Sequence, residues 1–124
     1  MMIGFVGTGN MGRPMVENLV KAGNEVTAFD QSPDALQAVI TAGGAAASSQ
    51  KEAVIGAEIV ITMLPAGEDV RTVYGSDNGV IANAAKGTLL IDCSTIDVES
   101  ARVVANEAME RGLDMLDAPV SGGV

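Results

Sequence analysis

Histidine is absent from this 124-residue sequence, cysteine and tyrosine occur once each, phenylalanine twice and tryptophan never. With no histidine, neither a Ser-His-Asp nor a Cys-His nucleophile can assemble within the chain, and a zinc site has no imidazole to draw on. The lone Cys93 cannot build a disulfide framework, which fits a reducing compartment. Basic residues are also scarce, seven against 16 acidic ones, for a net charge of −9. Such a surface repels a phosphate backbone, so nucleic acid is not an expected partner. Apolar runs such as residues 59–61 and 89–91 fall far short of the ~20 residues that a membrane-spanning helix needs. No charged, apolar or Arg-rich leader precedes the first strand-like run. The expectation is a cytoplasmic protein with no membrane partner and no metal site.

What the chain does have is small aliphatic residues: 48% of it is hydrophobic, with 15 glycines and 4 prolines. That suffices for the core of one domain, and the length is too short for two of ordinary size. Short β-rich runs alternate with helical patterns, the signature of βαβ units and a parallel sheet. Strands are expected at residues 3–6, 25–30, 45–47, 58–64, 88–92 and 113–118. A helix from about residue 11 places Met11, Met15, Leu19 and Val20 on one face and stops at Gly23. A second opens with Ser32-Pro33-Asp34, an N-cap hydroxyl, a proline preset for the first turn and a carboxylate at the positive helix end. Ser49 and Glu52 have the spacing of a capping box before a short helix. Residues 68–74 and 80–85 read as two more short helices. Asp97 caps a longer one over 98–111, with Ala101, Val104, Ala105, Ala108 and Met109 facing inward. The fold class is α/β: one domain over residues 1–124, a doubly wound, mainly parallel sheet of about six strands with helices on both faces.

The residues that carry chemistry sit at strand ends. Gly7-Thr8-Gly9-Asn10-Met11-Gly12 follows the first strand, opens the first helix and matches G-x-G-x-x-G. Gly7 permits the tight turn, Gly9 lets backbone approach a diphosphate, and Gly12 allows close packing of helix on sheet. A helix N-terminus offers free N–H groups and a favourable dipole to that anion. Asp30 stands at the tip of the second strand, 18 residues past Gly12. Its carboxylate can accept from both ribose hydroxyls, which favours NAD. A 2′-phosphate there would meet like charge, with no arginine following, since the next residues are Gln31 and Ser32.

Three further strand ends point the same way: Met63-Leu64-Pro65, Ser94-Thr95 and Pro119-Val120-Ser121-Gly122-Gly123. In an open parallel sheet, ligands bind beyond the carboxyl ends of the strands. Met63 and Leu64 are candidates to flank adenine or the nicotinamide ribose, and Thr95 to hydrogen-bond near the nicotinamide. Ser121, Gly122 and Gly123 offer a hydroxyl and exposed N–H groups suited to a small carboxylate. Taken singly, each also reads as an ordinary loop. Cys93 reads as a buried thiol, because its activation needs a base that the chain lacks.

Residues 3–23 (IGFVGTGNMGRPMVENLVKAG), 61–65 (ITMLP), 89–97 (LLIDCSTID) and 117–124 (DAPVSGGV) resemble the β-hydroxyacid dehydrogenase family. The likeness spans essentially the whole chain. It implies a Rossmann-type N-terminal domain that binds NAD(H), with Asn10, Met11, Asp30, Met63, Leu64 and Thr95 along the cofactor and Ser121, Gly122 and Gly123 on the substrate. The implied reaction is reversible oxidation of a 3-hydroxy acid to its semialdehyde, with 3-hydroxyisobutyrate giving methylmalonate semialdehyde in valine breakdown. Reduction of tartronate semialdehyde (2-hydroxy-3-oxopropionate) is the alternative within the class. The family's proton-transferring lysine lies in a helix past the Ser-Gly-Gly signature, beyond Val124, so no catalytic residue is expected in this chain. Lys21, Lys51 and Lys86 read as solvated charges. The family's helical C-terminal domain, which closes the cleft and builds a homodimer or homotetramer, falls beyond Val124 too. The chain is therefore expected to be a piece of a longer enzyme and inactive alone. Two readings stand outside this class: a non-catalytic nucleotide-binding module, and a transferase using S-adenosylmethionine, whose sites also pair a glycine loop with an acid.

Overall fold

The computed structural model describes residues 1–119, and the backbone alone of Gly9, Asn10 and Met11. Aliphatic runs form the strands β1 (Met2–Val6), β2 (Glu25–Phe29), β3 (Ala45–Ala46), β4 (Ile59–Thr62), β5 (Leu89–Asp92) and β6 (Asp114–Asp117). Between them run the helices α1 (Gly9–Lys21), α2 (Pro33–Thr41), α3 (Gln50–Val54), α4 (Gly67–Gly75), α5 (Val80–Asn83) and α6 (Val98–Glu110). The strands form one sheet in the order β3-β2-β1-β4-β5-β6. All of its pairings are parallel. The chain starts in the middle, winds outward to β3, returns to lie beside β1 as β4, and winds outward again to β6. That reversal leaves a crevice at the carboxyl ends of β1 and β4.

Alternation along the strands divides the interior into two layers. Phe5 and Ile61 face Val16 of α1 and Val39 of α2. Val6, Val60 and Leu90 face the other way, onto Val54 of α3, Val70 and Tyr74 of α4, Val80 of α5, and Val104 and Ala108 of α6. The helices thus cover both faces, as expected of strands whose apolar runs are nearly continuous.

The expected helix stripes needed two corrections. Among the described side chains of α1, Val16 is fully buried, while Met15, Leu19 and Val20 are partly covered and pack against the same core. Val16 has Gly12, Leu19 and Val20 as its four-before, three-after and four-after neighbours, so it occupies the middle of the stripe. In α6 the buried line is Ser100, Val104 and Ala108, each four residues apart. Met109 lies on its flank and is 73% exposed. The capping box at α3 is displaced by one residue. Ser49 accepts from the Glu52 N–H at 3.2 Å, as expected, but the Glu52 carboxylate reaches back to the N–H and hydroxyl of Ser48 rather than to Ser49. Ser32 caps α2 with Pro33 in its first turn, and Asp97 caps α6 by accepting from the Ser100 N–H at 2.9 Å.

Leu90 is fully buried in the middle of β5. Leu90→Ala is expected to lower unfolding free energy by about 2–5 kcal/mol, read as a fall in urea midpoint at unchanged slope. The Ser100 N–H bond, with smaller help from the Ser100 hydroxyl and Arg71, holds the Asp97 carboxyl below its ordinary value of 3.8. A lowered carboxylate pKa contributes stability that is present above the unfolded value and lost as pH falls through the folded one. The gap in urea midpoint between wild type and Asp97→Ala is therefore expected to be full at neutral pH and to close as pH falls below 3.8.

Candidate functional site

The turn out of β1 is shaped by a glycine that nothing else can replace. Gly7 has φ +76°, and a Cβ there would stand 2.5 Å from both the Met63 carbonyl oxygen and Leu64 Cδ2. Its N–H donates to the Phe29 carbonyl at 2.9 Å, tying the ends of β1 and β2 together. Gly12 was expected to admit the sheet. Its nearest neighbour is instead the side chain of Thr8, 2.5 Å from where a Cβ would lie, with the Phe5 ring farther off at 3.7 Å. The glycine therefore makes room for the turn itself more than for the strand.

Thr8 is buried, and its hydroxyl does not cap α1. It turns toward β2: the Thr8 N–H and hydroxyl both donate to Asp30 Oδ2, at 2.9 and 3.2 Å. Asp30 Oδ1 accepts from the Ser32 N–H at 2.9 Å. The acid at the β2 tip is thus half-buried and holds the glycine turn, a role the sequence reading did not assign to it. The signal was available, since a carboxylate at the tip of a strand beside a turn rich in N–H groups finds donors there. With the Thr8 hydroxyl turned away and no acid in its first turn, α1 opens on the crevice with no side-chain cap from Thr8. By contrast α2, α3 and α6 each carry both a side-chain cap and an acid in the first turn.

Met63 and Leu64 extend β4 into the crevice and divide between the two core layers, Met63 toward α1 and Leu64 toward α4. The Met63 N–H donates to the Val6 carbonyl at 3.1 Å, which sets this loop beside the glycine turn. Pro65 and Thr95 are exposed at the same edge. The structure therefore brings Gly7, Thr8, Gly12, Asp30, Met63, Leu64, Pro65 and Thr95 to one end of the sheet. Gly9, Asn10 and Met11 open α1 there, their side chains lying outside what is described. Ser121, Gly122 and Gly123 lie outside the described residues; β6 ends at this edge, where the Ala118 N–H donates to the Asp92 carbonyl at 2.9 Å. A cavity of about 360 Å³ adjoins Asp30, lined by residues that include Phe29, Gln31, Ser49, Asp69 and Thr72. Its walls come from four segments distant in the sequence, the β2 tip, the start of α3, α4 and the loop after α4, which local patterns do not bring together.

Beneath the crevice runs a buried polar chain that sequence reasoning also missed. Thr62 and Asp92 face each other across β4 and β5. The Thr62 hydroxyl donates to Asp92 Oδ1 at 2.9 Å, and so accepts from the Tyr74 hydroxyl at 2.6 Å. The Ser94 N–H and hydroxyl donate to the same Oδ1 at 3.1 and 2.7 Å. Ser94 Oγ in turn accepts from the Leu64 N–H at 2.7 Å. Asp92 Oδ2 is buried with no hydrogen-bond partner among the described residues. The signal was an acid closing an apolar strand one register step from a threonine. Burial, aided by nearby Asp92, drives the Tyr74 phenol far above its ordinary range. Burial likewise pushes the Cys93 thiol up, with Asp92 and Asp117 adding to the shift, so it stays protonated at neutral pH. Lys21 pairs with Glu17 at 3.5 Å at the far end of α1. Lys51 and Lys86 are exposed, Lys86 at the edge where β5 begins.

A parallel sheet with its reversal at β1 and β4, and a left-handed glycine turn leading into an acid-free first turn of α1, define a dinucleotide-binding α/β domain. Over residues 2–124 the sequence matches the family described as the NAD binding domain of 6-phosphogluconate dehydrogenase, and the chain belongs to that family. The 3-hydroxyisobutyrate dehydrogenase of Pseudomonas aeruginosa is 52% identical over 122 residues, covering 98% of this chain and 41% of its own length. The NAD-dependent L-serine dehydrogenase of the same organism is 50% identical over 121 residues, with the same coverage of 98% and 41%. A solved structure of the Mycobacterium tuberculosis 3-hydroxyisobutyrate dehydrogenase with L-serine superposes with a TM-score of 0.93 at 50% identity, over 98% of this chain and 41% of that one. These relatives bear out the likeness to β-hydroxyacid dehydrogenases. The chain spans about two fifths of the length of the curated relatives it matches.

Two glycine variants separate binding from folding. Gly7→Ala forces a Cβ into the Met63 carbonyl and is expected to weaken NADH binding at least ~10-fold, a loss of ~1.4 kcal/mol. Gly23→Ala meets the same left-handed strain, at φ +94°, with no atom in its way and far from the crevice. It is expected to lower the melting temperature and leave the NADH dissociation constant unchanged, both read by fluorescence titration and thermal melts.

Proposed function

We propose that this chain is the cofactor-binding part of an NAD-dependent dehydrogenase of small 3-hydroxy acids, with 3-hydroxyisobutyrate as substrate in cytoplasmic valine breakdown. The observation that carries this reading is the left-handed Gly7 turn between β1 and an acid-free first turn of α1, with Asp30 fastened to the same turn. The residues present fit NAD. A diphosphate meets open N–H groups and no acid at α1, while Asp30 supplies a carboxylate for the ribose hydroxyls. The cavity beside Asp30 is the natural seat for adenine, between the β2 tip and α4. Met63, Leu64 and Pro65 flank the middle of the cofactor, and Thr95 orients the nicotinamide end. Ser121, Gly122 and Gly123 hold the substrate's carboxylate end. Bound there, NAD⁺ would supply the hydride acceptor for the hydroxyl-bearing carbon of the substrate.

The proton released from that hydroxyl needs an acceptor. Lys21 and Lys86 lie away from the crevice, and Cys93 and Tyr74 hold their protons too tightly. We place this group, a lysine by resemblance, outside the sequence, together with the helical part that would join two or four copies. L-serine is a second reading, favoured by the serine dehydrogenase relative and by the solved complex with L-serine. Serine, 3-hydroxyisobutyrate and glycerate, the reduced partner of tartronate semialdehyde, share a CH₂OH group and a carboxylate on one carbon. They differ only in that carbon's third substituent, so one cofactor domain serves all three.

The chain alone is expected to bind NADH, to bind NADPH more weakly, and to turn over none of these acids. A 2′-phosphate about 4 Å from the Asp30 carboxylate would meet repulsion on the order of 4 kcal/mol at intermediate dielectric. Parallel titrations with NADH, NADPH and S-adenosylmethionine test this. NADPH binding as tight as NADH overturns the choice of cofactor, preferred binding of S-adenosylmethionine overturns the class, and measurable turnover overturns the placement of the proton acceptor.

A further inference from the structure

Asp92 is the most deeply buried acid near the crevice, fully enclosed, yet its two oxygens are used unequally. Among the described residues, Oδ1 takes three donors, from Thr62 and twice from Ser94, while Oδ2 takes none. For stability alone this is a poor arrangement. A buried carboxylate with an unpartnered oxygen carries a desolvation cost that an apolar residue in its place would avoid. The interactions made by Oδ1 show what the charge does instead. All the hydrogens of the network point toward Asp92, because a carboxylate accepts only. The Ser94 hydroxyl is therefore committed as a donor to Asp92, and its oxygen is turned to accept the Leu64 N–H. Leu64 is the residue whose side chain closes on Gly7.

We propose that Asp92 is a positioning residue for the cofactor cleft. By fixing the Ser94 hydroxyl it fixes the Leu64 amide, and through it the Met63–Leu64 loop against the glycine turn that receives the diphosphate. The Tyr74–Thr62 branch of the same network braces α4 against the sheet and takes no part in this relay. The inference rests on NAD being the ligand, so NADH binding by the wild-type chain is measured first; its absence would overturn that reading and this one together, whereas the variants bear on this one alone.

Three single-group variants separate the two branches. Ser94→Ala removes the link to Leu64. Asp92→Asn keeps the shape and removes the charge that aligns the donors. Tyr74→Phe cuts the other branch at its far end. Thermal midpoints without ligand, NADH dissociation constants and the position of the Leu64 amide in a ¹H–¹⁵N correlation spectrum are read for each. Ser94→Ala and Asp92→Asn are expected to shift the Leu64 amide and to weaken NADH binding roughly tenfold. Tyr74→Phe is expected to lower the thermal midpoint while leaving that amide in place and NADH binding within about twofold of wild type. The proposal fails if Ser94→Ala binds NADH as wild type does, or if loss of affinity follows loss of thermal midpoint across all three variants.

Discussion

The crevice depends on one exclusion: between the backbone at position 7 and the Met63 carbonyl there is no room for a Cβ. Because the chain can turn there with positive φ, β1 hands over to α1 within two residues, and the loop after β4 closes directly on that turn. The two halves of the sheet, which wind in opposite directions, therefore meet in contact at the place where their strand order reverses. Asp30 completes the junction from the β2 side through the Thr8 N–H and hydroxyl. Asp30 thus sets the geometry of the loop at the rim, at the place where we propose that it meets the ribose.

A second layer lies below this one and is polar where a parallel sheet is usually apolar. Thr62, Tyr74, Asp92 and Ser94 connect β4, α4, β5 and the loop after β5 through hydrogen bonds of 2.6–3.1 Å. Above them, α4 and α6 start side by side. The Arg71 Nε donates to Ser100 Oγ at 2.9 Å across the two helices, next to the Asp97 cap. The loop after β4 at the rim of the crevice is thus set in part by groups within the protein, through the Leu64 N–H bond to Ser94.

The sequence made the topology and the glycine turn readable because both rest on local rules: short aliphatic runs, stops at glycine, and hydroxyls or carboxylates ahead of helices. The rim at Met63, Leu64 and Thr95 followed from knowing where parallel strands end. What stayed hidden depended on rotation and on partners distant in the chain. Choosing Val16 over Met15 as the centre of α1 needs the angle at which the helix lies on the sheet. That Glu52 reaches Ser48, and not Ser49, depends on a one-residue difference in reach that spacing alone does not resolve. Asp30 as a brace for Thr8, and Asp92 as an acceptor for residues on two other segments, needed the strand register, which pairs Thr62 with Asp92.

The scarcity of aromatic residues gives the domain an unusual optical character. It has no tryptophan and a single tyrosine, and that tyrosine is sealed in the interior with its hydroxyl on Thr62. Tyrosine emission and the tyrosine band of near-ultraviolet circular dichroism therefore come from one buried ring beneath the crevice. Reduced nicotinamide emission can be followed without a tryptophan to interfere. The protein thus carries two separable colours, one reporting the rigidity of its own interior and the other the arrival of the ligand above it.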